Sequence, residues 1–356
     1  MPGMLRLLLS SLVALAPAQL GVTGGHLTAG GAPFMPILSY YQCGATARAA
    51  AAAGINLFVE QPYTACSGAQ PNNFALDPPP PGVSVLADDY AVDAPGTGWY
   101  LPDEPDALAV TAAQLPQPAA PGKLRFVNVS EHFYSGQAPI RPGYDQDEYK
   151  RLAAVADVVG FDLYPIVKFC GRVPLLDVYR AQRELTTIYA PGKPTFQWIE
   201  TGPMTGECAS LEVTPAIANA EAWLAVAGGA VGIGWFTSSW TSGAWNRWDV
   251  SDAMAAQIAA TDAQLQALAP MLTAPVGPVV VPWDGTVAAT SRTFGNALYV
   301  IAVNASGRPT KVPMRIDGLA GRALTVLGEG RKLVPSRQVF VRDAFAPYDV
   351  HIYRAG

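Results

Sequence analysis

Between residues 35 and 272 two kinds of segment alternate along the chain. Short, almost wholly apolar runs occupy 35–41 ("MPILSYY"), 55–60 ("INLFVE"), 83–87 ("VSVLA"), 97–103 ("TGWYLPD"), 124–130 ("LRFVNVS"), 157–166 ("DVVGFDLYPI"), 194–200 ("PTFQWIE") and 230–238 ("AVGIGWFTS"). Short apolar runs bounded by turn residues predict buried strands. The segments between them are richer in Ala and have helical spacing. They predict helices over 45–54, closed by Gly54, over 105–115, with Pro105 in the first turn, and over 144–156, 173–190, 214–229 and 251–272, the last capped by Ser251. Residues 61–82 are loop by composition, so the helix expected between the second and third strands is short or missing.

Eight strands with intervening helices over 34–272 predict a (β/α)8 barrel. The rival is a doubly wound open sheet, which calls for a Gly-rich phosphate turn after an early strand. "YYQCGATA" (40–47) lacks the G-x-G-x-x-G pattern, which favours the barrel. Beyond Pro270 helical periodicity disappears. Alternating runs such as "TVAATSRTF" and "ALYVIAVNAS" predict a small β-sandwich over 273–356.

At the other end, Arg6 precedes the apolar run "LLLSSLVALAPA", which closes on Ala16-Pro17-Ala18. Residues 1–18 are therefore expected to be a cleavable signal peptide and 19–33 a linker, placing the protein outside the cytoplasm, secreted or periplasmic. The run is too short to span a membrane, and no later segment is long enough.

Of the 356 residues half are apolar and 14 % charged, with 34 Gly and 32 Pro, a composition for a globular chain with many tight turns. The net charge of −5 excludes a nucleic-acid partner, since nothing neutralises a run of phosphates. No protein partner is evident. The histidines, His26, His132 and His351, form no metal-binding spacing, and neither a G-x-S-x-G elbow nor a phosphate loop occurs, so no metal or cofactor is expected. Asp145, Asp147 and Glu148 suit the acidic first turn of a helix better than a calcium loop.

The chemistry concentrates where strands end, which in a barrel is the catalytic face. Glu60, Glu104 and Glu200 close the second, fourth and seventh strands. Each alone is explained as a helix-start carboxylate. Strands four and seven, however, lie across the mouth from each other, so Glu104 and Glu200 are expected to face one another. Two carboxyls about 5–5.5 Å apart are what retaining glycoside hydrolysis requires.

With Asp103-Glu104-Pro105 on strand four and "FQWIE" on strand seven, the chain resembles the retaining glycoside hydrolases of clan A. The resemblance covers most of 35–272 and extends to a trailing β-sandwich. It implies Glu104 as acid/base, Glu200 as nucleophile, Tyr164 on strand six as a hydrogen-bond partner of the nucleophile, and Trp235 as the floor of the sugar site. The family usually has Asn where this chain has Asp103. Asp103 accepts from a sugar hydroxyl but cannot donate, which puts the identity of the sugar in doubt.

Further residues follow from position. Asp162 shares a strand face with Tyr164. Glu60, with Gln61, and either Glu131 or His132 are placed to reach sugar hydroxyls. Trp235, Trp240, Trp245 and Trp248 crowd around strand eight, where indole faces stack on sugar rings. Trp240 is a candidate of this kind, and Tyr40, Tyr41 and Trp99 are possible walls. The cysteines follow strands one, two, six and seven, so the pairs Cys43–Cys66 and Cys170–Cys208 would each join neighbouring loops at the mouth. The expected function is retaining hydrolysis of an oligo- or polysaccharide. A non-catalytic carbohydrate-binding protein on the same barrel is the alternative.

Overall fold

A computed structural model describes residues 19–42, 44–59, 80, 82–88, 90, 96–140, 144–202, 204, 208, 210–241, 244–280 and 285–356. The expected signal segment 1–18, Glu60, Gln61, Cys43 and Cys66 lie outside these residues.

Eight parallel strands close into a barrel in chain order. They are β1 (Ile37–Tyr40), β2 (Leu57–Val59), β3 (Ser84–Ala87), β4 (Gly98–Tyr100), β5 (Leu124–Val129), β6 (Val158–Asp162), β7 (Thr195–Glu200) and β8 (Gly232–Phe236). Each falls inside one of the apolar runs. The interior is filled by large rings placed beside glycines. A Cβ on Gly160 of β6 would lie 2.1 Å from the Phe196 ring, and one on Gly234 of β8 would lie 2.3 Å from Trp198. Only glycine leaves room for these side chains of β7.

The outer layer contains α1 (Gly44–Ala52), α2 (Gln146–Val155), α3 (Leu176–Glu184), α4 (Pro215–Gly228) and α5 (Asp252–Leu272). The starts of α2, α4 and α5 follow capping chemistry. Asp145 accepts from the Glu148 amide, Thr214 from that of Ile217, and Ser251 from that of Met254. The acidic run at 145–148 is thus a helix start. Glu148 also accepts from the Ala112 amide and pairs with Arg151.

Two expectations need correction. The helix predicted over 105–115 is a series of turns with one short 3-10 segment, Ala112–Gln114. Asp106 is tied to Ser130 and Tyr149, the Tyr144 hydroxyl donates to the Pro105 and Val110 carbonyls, and Ala109 is left-handed at φ 63°. These tertiary ties override a weak helical tendency. The segment expected to be a linker contains a three-stranded antiparallel sheet, Leu20–Thr23, His26–Ala29 and Ala32–Pro33.

The C-terminal residues form the expected β-sandwich, with eight strands in antiparallel pairing. Strand Gly277–Val280 pairs with Val287–Phe294 at one end and Thr310–Ile316 at the other, linking the two halves. Val300, Met314, Val341 and Tyr353 fill its core. Ala288, Ile301 and Ile352 join the barrel's own core, so the domain is docked through apolar contact. No helix among the described residues is long and apolar enough to cross a membrane.

Candidate active site

A cavity of about 370 Å³ opens at the C-terminal end of the barrel strands. Its walls include Tyr40, Asp103, Glu104, Asn128, Asp162, Tyr164, Lys168, Trp198 and Phe236. Apolar rings on one side and carboxyls on the other make it amphipathic.

The acidic sequence after β4 divides its labour. Asp103 accepts from the Tyr100 hydroxyl and from the Asn128 side-chain amide, both at 3.0 Å. Asp106 is fully buried and accepts from the Ser130 amide and hydroxyl and from the Tyr149 hydroxyl. Glu104 lies between them at φ 42°, a left-handed conformation uncommon for Glu. Its own amide is anchored on the Asn128 carbonyl at 3.0 Å. The turn therefore lifts the Glu104 side chain into the cavity.

Glu104 meets two further carboxyls there. One carboxylate oxygen each from Glu104, Glu131 and Asp162 lie within 4.8 Å of one another. Such a set is close enough to hold a cation, and a built-in one is already beside it: the Lys168 ammonium lies 2.8 Å from Glu131. Burial opposes the charge on Lys168, yet Asp162 and Glu131 outweigh it and raise its pKa. Burial and then the charge of Glu104 push the Asp162 carboxyl well above the usual carboxylate range, with Lys168 opposing. Asp162 is thus the proton-holding member of the cluster.

Glu200 closes β7, where the sequence places it. It is fully buried and is not among the cavity's described lining residues. Its two oxygens accept from the backbone amides of Ile166 and Val167, at 2.9 and 2.7 Å. The carboxyl thus engages the loop after β6.

Trp235 is a clear correction. Its indole N–H donates to Asp262 of α5 at 2.8 Å, and the ring is completely buried in the helix layer. Its neighbour Phe236 faces the cavity. Trp99 likewise lies outside the cavity's described lining, fully buried with Lys123 over its ring. The aromatic wall is built instead from Tyr40, whose ring meets Trp198 and Phe236 at 6.0 Å each, and from Tyr164, 5.8 Å from Phe236. Asp162 and Tyr164 do share the cavity face, as strand alternation predicted.

The remaining candidates sit at the rim. Tyr41 packs edge-on against Tyr40 at 4.4 Å and is not itself a described lining residue. His132 contacts the Ala138 carbonyl and lies 3.4 Å from Glu131; of that pair it is Glu131 that joins the cluster. Trp240 is half exposed on the hairpin after β8, and its amide donates to the carbonyl of Met204, a cavity residue. Cys170 and Cys208 form the expected disulfide between the loops after β6 and β7.

No protein-family model matches the chain, and no curated protein matches it. Solved structures do. One described as a glycoside hydrolase superposes with a TM-score of 0.52 at 12 % identity, covering 95 % of this chain and 96 % of its own. A GH30 endoxylanase from Clostridium papyrosolvens C71 gives a TM-score of 0.50 at 10 % identity, covering 91 % of this chain and 96 % of its own. At such identities the likeness is one of fold. It bears out the resemblance at that level, a barrel followed by a β-rich domain, in neighbours that are glycoside hydrolases.

Proposed function

We propose that the protein is a glycoside hydrolase acting on an oligo- or polysaccharide at the mouth of the barrel, with Glu104 and Asp162 as its reacting carboxyls. The observation that carries this reading is their approach to within 4.8 Å in a cavity walled by aromatic rings. Oxygens that approach this closely suit the carboxyl separation of about 5–5.5 Å typical of retaining enzymes better than the wider one of inverting enzymes. The aromatic faces suit the apolar faces of sugar rings. The neighbours' fold supports the class of reaction; fold alone does not establish it.

In this scheme Asp162 gives its proton to the glycosidic oxygen as the C–O bond breaks. Glu104 attacks the anomeric carbon and forms an ester to the sugar. Water then displaces Glu104 while Asp162 takes the water's proton, restoring both groups. Since Asp162 must start protonated and its pKa is raised, the rate holds toward neutral pH and falls as pH rises through that pKa.

Glu200 as nucleophile is the second reading. It ends β7 in register with Phe236, a cavity residue. It requires the buried carboxyl, held by the Ile166 and Val167 amides, to become accessible from the cavity. Turnover of a panel of aryl glycosides by Glu104→Gln, Asp162→Asn and Glu200→Gln decides between the two. Losses of about 10³-fold or more are expected in the first two variants. Asp162→Asn should also lose the alkaline limb of the rate profile. Near-complete loss in Glu200→Gln with a well-active Asp162→Asn would favour the second reading. Full activity in Glu104→Gln would sink both.

A further inference from the structure

Asn128 stands near the C-terminal end of β5, at the mouth of the barrel. Phe126, two residues before it, meets the Phe196 ring inside the barrel at 6.1 Å, so strand alternation turns Asn128 toward the same interior face. It is 1 % exposed and lines the cavity. Its backbone carbonyl accepts from the Glu104 amide at 3.0 Å. The strand end that carries Asn128 thus also anchors the residue projected among the carboxyls.

The orientation of its side-chain amide is settled by its neighbours. An indole N–H only donates, and that of Trp198 donates to the Tyr100 hydroxyl at 3.3 Å. The Tyr100 hydroxyl in turn donates to Asp103 Oδ1 at 3.0 Å. A carboxylate only accepts, so the Asn128 group that meets the same Oδ1 at 3.0 Å is the NH2. The amide oxygen is then left over. Asn128 Oδ1 is buried and has no hydrogen-bond partner among the described residues. A buried amide oxygen without a donor is costly. In a residue that lines a cavity it is a place for a donor carried by the ligand.

We propose that Asn128 is a substrate-binding residue: its Oδ1 accepts a hydrogen bond from a free hydroxyl of the sugar bound beside Glu104, while its NH2 and its backbone carbonyl hold Asp103 and the Glu104 amide. That the ligand is a sugar rests on the reading proposed above; the direction of the amide does not. The consequence is a restriction on the substrate. At this point the site offers an acceptor, so the sugar must present a donor. An unsubstituted hydroxyl fits. A deoxy or O-methyl position does not, and a uronate carboxylate there would bring an acceptor to an acceptor, beside the carboxyls of Asp103 and Glu104.

The test is calorimetric titration of the full chain with para-nitrophenyl β-thioglycosides of D-glucose, D-galactose, D-mannose and D-xylose, whose C–S bond resists hydrolysis. Monodeoxy forms of the one bound most tightly follow. The parent should lose about tenfold in affinity when one particular hydroxyl is removed. Asn128→Ala should bind the intact thioglycoside about tenfold more weakly and show no further loss with that one deoxy form, while keeping its losses at the other positions. Asn128→Asp keeps an oxygen in place of Oδ1 and should keep the discrimination. Should the Ala variant not fold, Asn128→Val, a better strand former that also lacks a side-chain acceptor, carries the same expectation. A parent that loses nothing with any deoxy form would overturn the proposal, as would an Ala or Val variant weakened evenly across the series, the mark of a merely structural role. Failure of the parent to bind any of these thioglycosides would overturn it together with the glycosidase reading. The expected binding pattern without turnover of the matching O-glycoside would refute that reading alone.

Discussion

Asp103, Glu104 and Asp106 sit within four positions of one turn, yet their surroundings give them different tasks. Asp106 is saturated by three donors and buried. Asp103 is held by Tyr100 and Asn128 at the cavity edge. Only Glu104 is projected among other carboxyls, by a backbone conformation that costs on the order of 1–3 kcal/mol at a non-Gly residue. Asp106 holds that strained turn against the loop after β5. Asp106→Ala leaves the Ser130 amide and the Tyr149 hydroxyl without their acceptor, so a stability loss of roughly 2–4 kcal/mol is expected. Denaturant unfolding monitored by tryptophan fluorescence measures it. A loss within about 0.5 kcal/mol, the usual range for a surface substitution, would show that Glu104 is positioned by something else.

At the scale of elements, β8 shows what a strand pattern leaves open. The run 230–238 predicts a strand, and one is there, but the run does not say which parity faces inward. A one-residue shift exchanges the two faces. Gly234 and Phe236 face the barrel interior, so Trp235 turns out to α5 and Asp262. Trp235→Phe should therefore cost roughly 1–3 kcal/mol of stability through the orphaned Asp262 and leave kcat little changed. Phe236→Ala should instead raise KM for a glycoside severalfold by removing part of the sugar-facing wall. The reverse pattern would restore Trp235 to the site. The same contrast explains how much was legible. The eight strands were, because buried parallel strands are continuous apolar runs. Glu104 was, because a carboxylate at a strand end is conspicuous, and Asp162 and Tyr164 were, because their two-residue spacing fixes a shared face. The missing helix after β4 was not, since Asp106's partners are distant in sequence. Nor was the tie from Glu200 to the loop after β6. Asn128 was invisible for a related reason: one Asn near the end of an apolar run resembles a turn residue until Asp103 is brought against it.

At the scale of the whole molecule, the β-sandwich is attached to α4. Arg292, on the sandwich strand Val287–Phe294, reaches across and donates to the Val226 carbonyl near the end of that helix at 2.9 Å. A cation suits a helix C-terminus. This one is 2 % exposed, however, and its Nε and Nη1 find no partner among the described residues. Burial lowers its pKa from 12.5 to about 10. A base with a depressed folded-state pKa is one whose charged form the fold disfavours. The charge therefore costs stability, on the order of 3 kcal/mol, at every pH below the folded value, and the cost fades only as pH rises through about 10. Replacing such a group with an apolar one of similar length is neutral or stabilising where its partner is a single carbonyl. Arg292→Met should hold or raise the melting temperature at neutral pH, and the gain over the parent should shrink in strongly alkaline buffer. Arg292→Ala, which removes the stem as well, should melt lower because it opens a cavity against α4. If Met and Ala variants both melt well below the parent at neutral pH, the guanidinium is a net fastener of the two domains.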